Sequence, residues 1–284
     1  MEIKKVGIVA MTGTMGTGIA QVCAQAGYQV LGSSRSQDNI NKAIASINSQ
    51  MTRAVERQRM TQADKDAAFA RIKGTTSMKD FADCDLVVEA AAEVMDLKKG
   101  IFGELDKICK KDAILASNTS CLSIMDLAVA TGRPDKVLGI HFFNPVPVMK
   151  LVEVVKTITT SDDAVASSKK FCESVGKTVV IAKDAPGFIV NRLMTPFILN
   201  AVKMLENGVA SREDIDTAIN LGLNHPMGPL ALLDLIGIDT FVFFADAQYE
   251  AFKDPQFAVP TLLRKMIAAG WLGRKTKKGF YDYK

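Results

Sequence analysis

The sequence predicts a doubly wound α/β domain over residues 1–185 followed by an all-α domain over 186–284. Three observations carry this. Short apolar runs alternate with helix-period segments from position 4 to about 182, the pattern of a βαβ sheet covered by helices on both faces. Strand signals stop after Asp184-Ala185-Pro186-Gly187, where Pro-Gly marks a boundary. A glycine-bearing turn directly follows the first apolar run.

Strands are expected at 5–10, 28–34, 85–90, 113–117 and 137–142, then at 151–155 and 178–181, each a run of strand length rich in aliphatic residues. Helices are expected between them at 17–26, 97–109 and 164–175, where apolar residues recur at helical spacing. The stretch 37–73 is long, polar and helix-prone where a compact sheet uses a short crossover. Its basic residues Lys42, Arg53, Arg57, Arg59, Lys65, Arg71 and Lys73 outnumber Asp38, Glu56, Asp64 and Asp66 by three. Arg53 and Arg57, four apart, share one helical face. The stretch is either a solvated helical hairpin or a basic arm that holds a polyanionic ligand. Beyond the boundary, helices are expected at 188–206, 212–220, 230–252 and 259–269. Ser211 with Asp214 resembles a capping box, and Pro226 with Gly228-Pro229 separates the second helix from the third. The many apolar positions of this domain imply that it also dimerises.

Composition removes other classes. Of 284 residues, 48% are hydrophobic and 23% charged, which excludes disorder and low-complexity scaffolds. No apolar run reaches the roughly 18 residues that span a bilayer, and Met-Glu-Ile-Lys-Lys has no hydrophobic signal core behind it, so a soluble cytoplasmic protein without a membrane partner is expected. The five cysteines are odd in number and widely spaced, with no CxxC pair. They read as reduced, buried thiols, and no metal site is expected. The net charge of +4 is interspersed rather than clustered, which disfavours nucleic acid and fits a small anionic ligand.

The first apolar run passes into Ala10-Met11-Thr12-Gly13-Thr14-Met15-Gly16-Thr17-Gly18. This is the place of a GxGxxG turn, whose glycines allow a tight turn, close backbone approach to a pyrophosphate, and close helix–strand packing. Gly13 and Gly16 fill the second and third roles, while Met11 stands at the spacing of the first. Thr12, Gly13, Thr14, Met15 and Gly16 are thus candidate cofactor contacts in a Rossmann-like sheet, against the plainer alternative of a turn that binds nothing. An NAD-binding unit carries Asp or Glu near the end of its second strand to accept from the ribose hydroxyls. Here Leu31-Gly32-Ser33-Ser34-Arg35-Ser36 holds no carboxylate. Three hydroxyls and a guanidinium suit a 2′-phosphate of about −1.5 to −2 charges, by analogy with phosphorylated side chains. Ser33, Ser34 and Arg35 therefore predict NADP(H) as the preferred cofactor, with NAD(H) possible; the alternative is a solvated loop.

There are only two histidines, His141 and His225. His141 ends the fifth predicted strand, where doubly wound sheets place ligands, and imidazole titrates near neutrality. Glu153 follows twelve residues later, on an adjoining predicted strand after Pro145 and Pro147. A hairpin-like return brings the two together, with Glu153 fixing the imidazole tautomer; a buried structural histidine and a solvent-facing glutamate are equally ordinary. His225 sits in a Pro/Gly-rich link and reads as structural.

His141-Phe142-Phe143-Asn144-Pro145, Met149-Lys150-Leu151-Val152-Glu153, Ser117-Asn118-Thr119-Ser120 and Pro186-Gly187-Phe188-Ile189-Val190-Asn191-Arg192 closely resemble the L-3-hydroxyacyl-CoA dehydrogenases. The resemblance continues through His225-Pro226-Met227-Gly228-Pro229 to Gly279-Phe280-Tyr281, and so covers essentially the whole chain. It implies interconversion of a 3-hydroxyacyl-CoA, short-chain (S)-3-hydroxybutyryl-CoA in particular, and its 3-oxo counterpart by hydride transfer. It implies His141 as general base, Glu153 as its orienting partner, and Ser120 and Asn191 as hydrogen-bond donors around the reacting oxygen. Asn144, Asn118, Glu93 and Lys98 match positions around the active site and nicotinamide. The arm then meets the CoA phosphates, with Arg53 and Arg57 the best candidates, and the C-terminal domain forms a homodimer.

The chain departs from this family where the cofactor is read: the turn Ala10-Met11-Thr12-Gly13 is one residue longer than Gly-x-Gly, and the Asp near position 34 is absent. A coordinated change of preference from NADH to NADPH explains both, with Thr12 or Thr14 adding a hydroxyl and Met11 loosening the pyrophosphate contact. A damaged turn that binds both cofactors poorly is the competing account. A catalytically silent relative and an NADP-dependent dehydrogenase of a hydroxy acid without CoA stand as alternative functions.

Overall fold

Aliphatic runs buried on both faces make the interior strands of one eight-stranded sheet, whose two edge strands are more exposed. The computed structural model describes residues 1–284, which divide into the units Met1–Asp184 and Ala185–Lys284. The first unit runs β1 (Lys5–Val9), α1 (Thr14–Gln25), β2 (Gln29–Ser33), α2 (Gln37–Glu56), α3 (Gln62–Ala70), β3 (Ile72–Thr75), β4 (Leu86–Glu89), α4 (Met95–Ile108), β5 (Ile114–Ser117), α5 (Ile124–Ala128), β6 (Val137–Phe142), β7 (Leu151–Lys156), α6 (Asp162–Ser174) and β8 (Thr178–Lys183). Strand order is β3-β2-β1-β4-β5-β6-β7-β8, and every neighbouring pair is parallel except β6 with β7. The chain leaves β1 for β2 on one side and returns to β4 on the other, so the ligand-binding switch point lies at the carboxyl ends of β1 and β4. The connection between β6 and β7 is too short for a crossover and makes them antiparallel, setting His141 directly opposite Glu153.

The polar stretch is a helical hairpin. Ile40, Ala43, Ile47 and Met51 form the buried stripe of α2, and Arg71 Nη1 donates to Ala24 O at 3.3 Å, so one of the arm's cations is tied into the packing. Its last two residues belong elsewhere: Ile72 and Lys73 open β3, an edge strand of only four residues that no periodicity could announce. The five-residue α5 was likewise not expected; it starts where Ser123 Oγ accepts from Asp126 N at 3.1 Å.

The second unit contains α7 (Val190–Glu206), α8 (Arg212–Gly222), α9 (Pro229–Ile236), α10 (Ile238–Phe252) and α11 (Thr261–Ala268). The single helix expected at 230–252 is therefore two, because Gly237 takes φ +99° and breaks the hydrogen-bond ladder. Ile198, Leu230, Leu233, Phe241 and Leu263 centre its core. Two buried carboxylates pin the C-terminal tail: Asp234 accepts from Phe280 N, Tyr281 N and Tyr283 Oη, each at 2.9 Å, and Asp216 accepts from Tyr281 Oη at 2.9 Å. Burial, then the Asp234 bond, pushes the Tyr283 phenol up to about 12.

All five cysteines are buried and unpaired in disulfides. Burial pushes the thiols of Cys109 up to about 11 and of Cys84 and Cys121 up to about 12, so they persist as unreactive thiols at neutral pH. No helix is long and apolar enough to cross a membrane, and no group of three or more His, Cys, Asp or Glu is placed to hold a metal ion.

Candidate active site

The turn after β1 is built differently from the arrangement its spacing implies. The left-handed residue is Ala10, at φ +58°, which costs about 1–2 kcal/mol for a residue with a Cβ. Gly13 N–H donating to Ala10 O at 3.2 Å and Met11 N–H donating to Ser33 O at 2.9 Å hold it there. Met11 does not face a pyrophosphate: it is fully buried in the core beneath the turn, so its Cβ does not loosen the phosphate contact. Gly16 has the helix-packing role, since a Cβ there would approach Ala10 O to 2.6 Å. Gly13, the N-cap of α1, is exposed and its missing Cβ meets nothing closer than Ala10 O at 3.7 Å. The open backbone at Gly13 and the first turn of α1 fit a diphosphate. Thr12 and Thr14 flank it, whereas Met15 packs against the core.

Of the residues after β2, Ser33 turns inward, its Oγ 3.8 Å from Met78 Sδ, and is not presented to a ligand. Ser34 Oγ lies 3.4 Å from Thr12 Oγ1, so the turn and the end of β2 meet. Arg35 is exposed and makes no ion pair. It stands two residues before α2, whose N-cap Ser36 supplies no side-chain bond, leaving the positive end of the helix open beside the guanidinium. A cleft of about 530 Å³ separates Thr12, Thr14 and Thr17 from Asn39, Lys42 and Ser46 of α2. Arg53 and Arg57 are exposed, with Arg57 at the C-cap of α2.

At the carboxyl ends of β5 and β6 the histidine lies between two partners. His141 Nδ1 is 2.7 Å from Glu153 Oε2, and Nε2 is 3.1 Å from Ser120 Oγ. A carboxylate acceptor at Nδ1 keeps the proton of neutral imidazole there and leaves Nε2 the basic nitrogen. Glu153 is completely buried. Phe142 N–H donates to Asn118 Oδ1 at 2.9 Å, locking the β5 and β6 ends together.

The Ser117–Ser120 turn rests on a buried ionic network. Glu93 accepts from Thr119 Oγ1 at 2.8 Å and from Ser120 N at 3.1 Å. Lys98, 1% exposed, donates to both oxygens of Glu89 at 2.7 and 2.9 Å and to Ala91 O at 3.2 Å. Its ammonium is thereby engaged within the protein. Glu89 also accepts from Ser117 Oγ at 2.7 Å. Glu89 was missed by sequence reasoning, and Ser117 entered only within the Ser117–Ser120 motif with no role of its own; a carboxylate closing the apolar run Leu86-Val87-Val88-Glu89 was the available signal. Asn144 is exposed in the loop after β6. Asn191 is the second residue of α7 in the other unit, where its carbonyl accepts from Thr195 Oγ1 at 2.7 Å.

The relatives agree with this architecture. Residues 5–185 match the family described as 3-hydroxyacyl-CoA dehydrogenase, NAD binding domain, and residues 187–283 match its C-terminal domain. The chain is 46% identical over 272 residues to a 3-hydroxybutyryl-CoA dehydrogenase of Clostridioides difficile, covering 96% of this chain and 97% of the relative. It is 45% identical over 282 residues to one of Bradyrhizobium diazoefficiens, covering 99% and 96%. The crystal structure of the (S)-3-hydroxybutyryl-CoA dehydrogenase PaaH1 from Ralstonia eutropha superposes with TM-score 0.97 at 46% identity over the whole of both chains. That of Mycobacterium tuberculosis FadB2 does so with TM-score 0.97 at 44% identity, again over both whole chains. With both domains matched in order along its length, the chain belongs to the 3-hydroxyacyl-CoA dehydrogenase family.

Proposed function

We propose that this enzyme interconverts (S)-3-hydroxybutyryl-CoA and acetoacetyl-CoA, with NADP(H) preferred over NAD(H) and His141 as general acid/base. The placement of His141 between Ser120 Oγ and Glu153 Oε2 carries the reading, and the names of the nearly half-identical relatives support the substrate. In the oxidative direction, neutral His141 accepts the proton of the 3-hydroxyl at Nε2, and Glu153 stabilises the resulting imidazolium. In the reductive direction, the imidazolium returns that proton to the developing alkoxide. A bound nicotinamide supplies the hydride donor or acceptor. Ser120 and Asn191 donate to the oxygen where charge develops, each worth about 3 kcal/mol by analogy with oxyanion-hole donors.

Gly13 and Thr14 hold the diphosphate, Gly16 keeps α1 close against the turn, and Thr12, Ser34 and Arg35 take the 2′-phosphate. Glu93, Lys98 and Asn118 act by holding the turn 117–120 and the end of β6, with Asn144 at the rim of the nicotinamide region. Arg53 and Arg57 meet the CoA phosphates. The C-terminal unit dimerises, consistent with its exposed Leu193, Leu221 and Leu223. An assay of acetoacetyl-CoA reduction at 340 nm with NADPH and with NADH tests the reading. Turnover lost in His141→Gln with cofactor Kd retained supports it. Retained kcat, or equal activity on acetoacetate without CoA, overturns it.

A further inference from the structure

Met11 is held from every side. Its N–H donates to Ser33 O at 2.9 Å, and its carbonyl accepts from Thr17 Oγ1 at 2.9 Å. Its Cα lies against Gly16, where an added Cβ would come within 2.8 Å. Its fully buried side chain lies over Gly32 of β2, where a Cβ would stand 2.0 Å from the Met11 sulfur and 2.7 Å from its Cβ and Cγ. A thioether tip can swing away, but the Met11 Cβ is fixed by the backbone, so no side chain at position 32 coexists with this turn. The next residue, Thr12, places Oγ1 3.4 Å from Ser34 Oγ, and Ser34 is anchored in turn by its N–H donating to Thr75 O at 3.2 Å.

We propose that Met11 and Gly32 form an interlock that positions Thr12 beside Ser34, making both residues determinants of selectivity at the adenosine 2′-position although neither faces the cofactor. This rests on the NADP(H) reading above. The extra turn residue and the bare strand position are then one device. The fully buried Met11 occupies the space over Gly32 that a Cβ at position 32 would take. Both are positioning residues that act through Thr12.

The parent enzyme, Met11→Ala, Gly32→Ala and the double variant are compared by the Tm of the cofactor-free protein, by fluorescence titration of NADPH and NADH without acyl-CoA, and by steady-state kinetics. Gly32→Ala is expected to lower Tm, and adding Met11→Ala to recover only the part owed to the sulfur and Cγ, because alanine keeps the Cβ that stands 2.7 Å from the added one. Met11→Ala is expected to lower the ratio of NADH Kd to NADPH Kd about tenfold, with the kinetic loss falling on KM for NADPH more than on kcat. A Kd ratio unmoved in Met11→Ala, or Gly32→Ala as stable as the parent, overturns the interlock. A merely structural residue would move Tm alone. If Gly32→Ala does not fold, the Met11→Ala ratio decides. A parent that binds NADH more tightly than NADPH overturns the cofactor reading; the interlock is then still supported by a ratio that moves in Met11→Ala and overturned by one that does not.

Discussion

Glu153 Oε2 lies 2.7 Å from His141 Nδ1 because the two residues face each other across the one antiparallel pair of the sheet. The strand register therefore fixes both which imidazole nitrogen is protonated and which is left basic. Glu153→Gln keeps the shape and removes the charge that stabilises imidazolium. It is expected to lower kcat by about 10²–10⁴-fold, the range that general acid–base catalysis contributes, with little change in cofactor Kd. Rapid-mixing kinetics together with cofactor titration would check it; a kcat within a factor of about three of the parent would count against the assigned role.

The Lys98–Glu89 pair is buried on both sides, at 1% and 0% side-chain exposure. Removing one member leaves the other charged in a dry site. Lys98→Met alone is expected to destabilise the fold by about 3–5 kcal/mol, and Lys98→Met with Glu89→Leu to recover much of it. Urea unfolding of the single and double variants measures both. An unchanged midpoint for the single variant would mean that the network carries no such weight.

Arg35 is exposed and without an ion-pair partner, so Arg35→Ala should leave stability within about 0.5 kcal/mol. Loss of a charge-assisted contact of about 1.5–3 kcal/mol predicts NADPH binding weaker by about 10- to 150-fold, with NADH binding nearly unchanged. Parallel titrations with the two cofactors separate these outcomes, and equal losses for both would remove Arg35 from the 2′-phosphate.

Two carboxylates tie the sheet's amino-terminal edge and the loop after α5. Burial raises the Asp85 pKa, but the Lys110 ammonium and the N–H groups of Lys5 and Lys4 outweigh it and hold the carboxyl below its ordinary 3.8. Burial likewise opposes Gly132 N–H and Arg133 at Asp106, which also ends below 3.8. A folded-state pKa that is depressed contributes stability above the unfolded value, and that contribution is lost as pH falls through the folded one. Urea midpoints should therefore fall steeply below about pH 4, and less steeply in the Asp85→Asn, Asp106→Asn double variant.

Several features were legible without coordinates. Val6–Val9, Leu86–Val88 and Val137–Ile140 read as interior strands, because both faces of each are apolar. His141 at a strand's carboxyl end was for the same reason already at a ligand-binding edge. Elements of four or five residues were not legible: β3 takes its place through pairing with β2, and α5 through its Ser123 cap. Nor was the break at Gly237, since an apolar helical pattern continues through it.

Local chemistry thus determined the class of fold, the candidate acid/base pair of residue types and the absence of a carboxylate at the end of the second strand. Tertiary structure decided the relationships among residues far apart in the chain. It turned Ser33 inward and Ser34 toward Thr12, engaged Lys98 with Glu89 instead of leaving it open to a ligand, and buried Met11 over Gly32 where its spacing had placed it against a phosphate. The physical reason is that hydrophobic periodicity records which face of an element is buried. The partner that fills each space or accepts each proton is set by close packing and strand register, which bring residues together across the sheet irrespective of their separation in sequence.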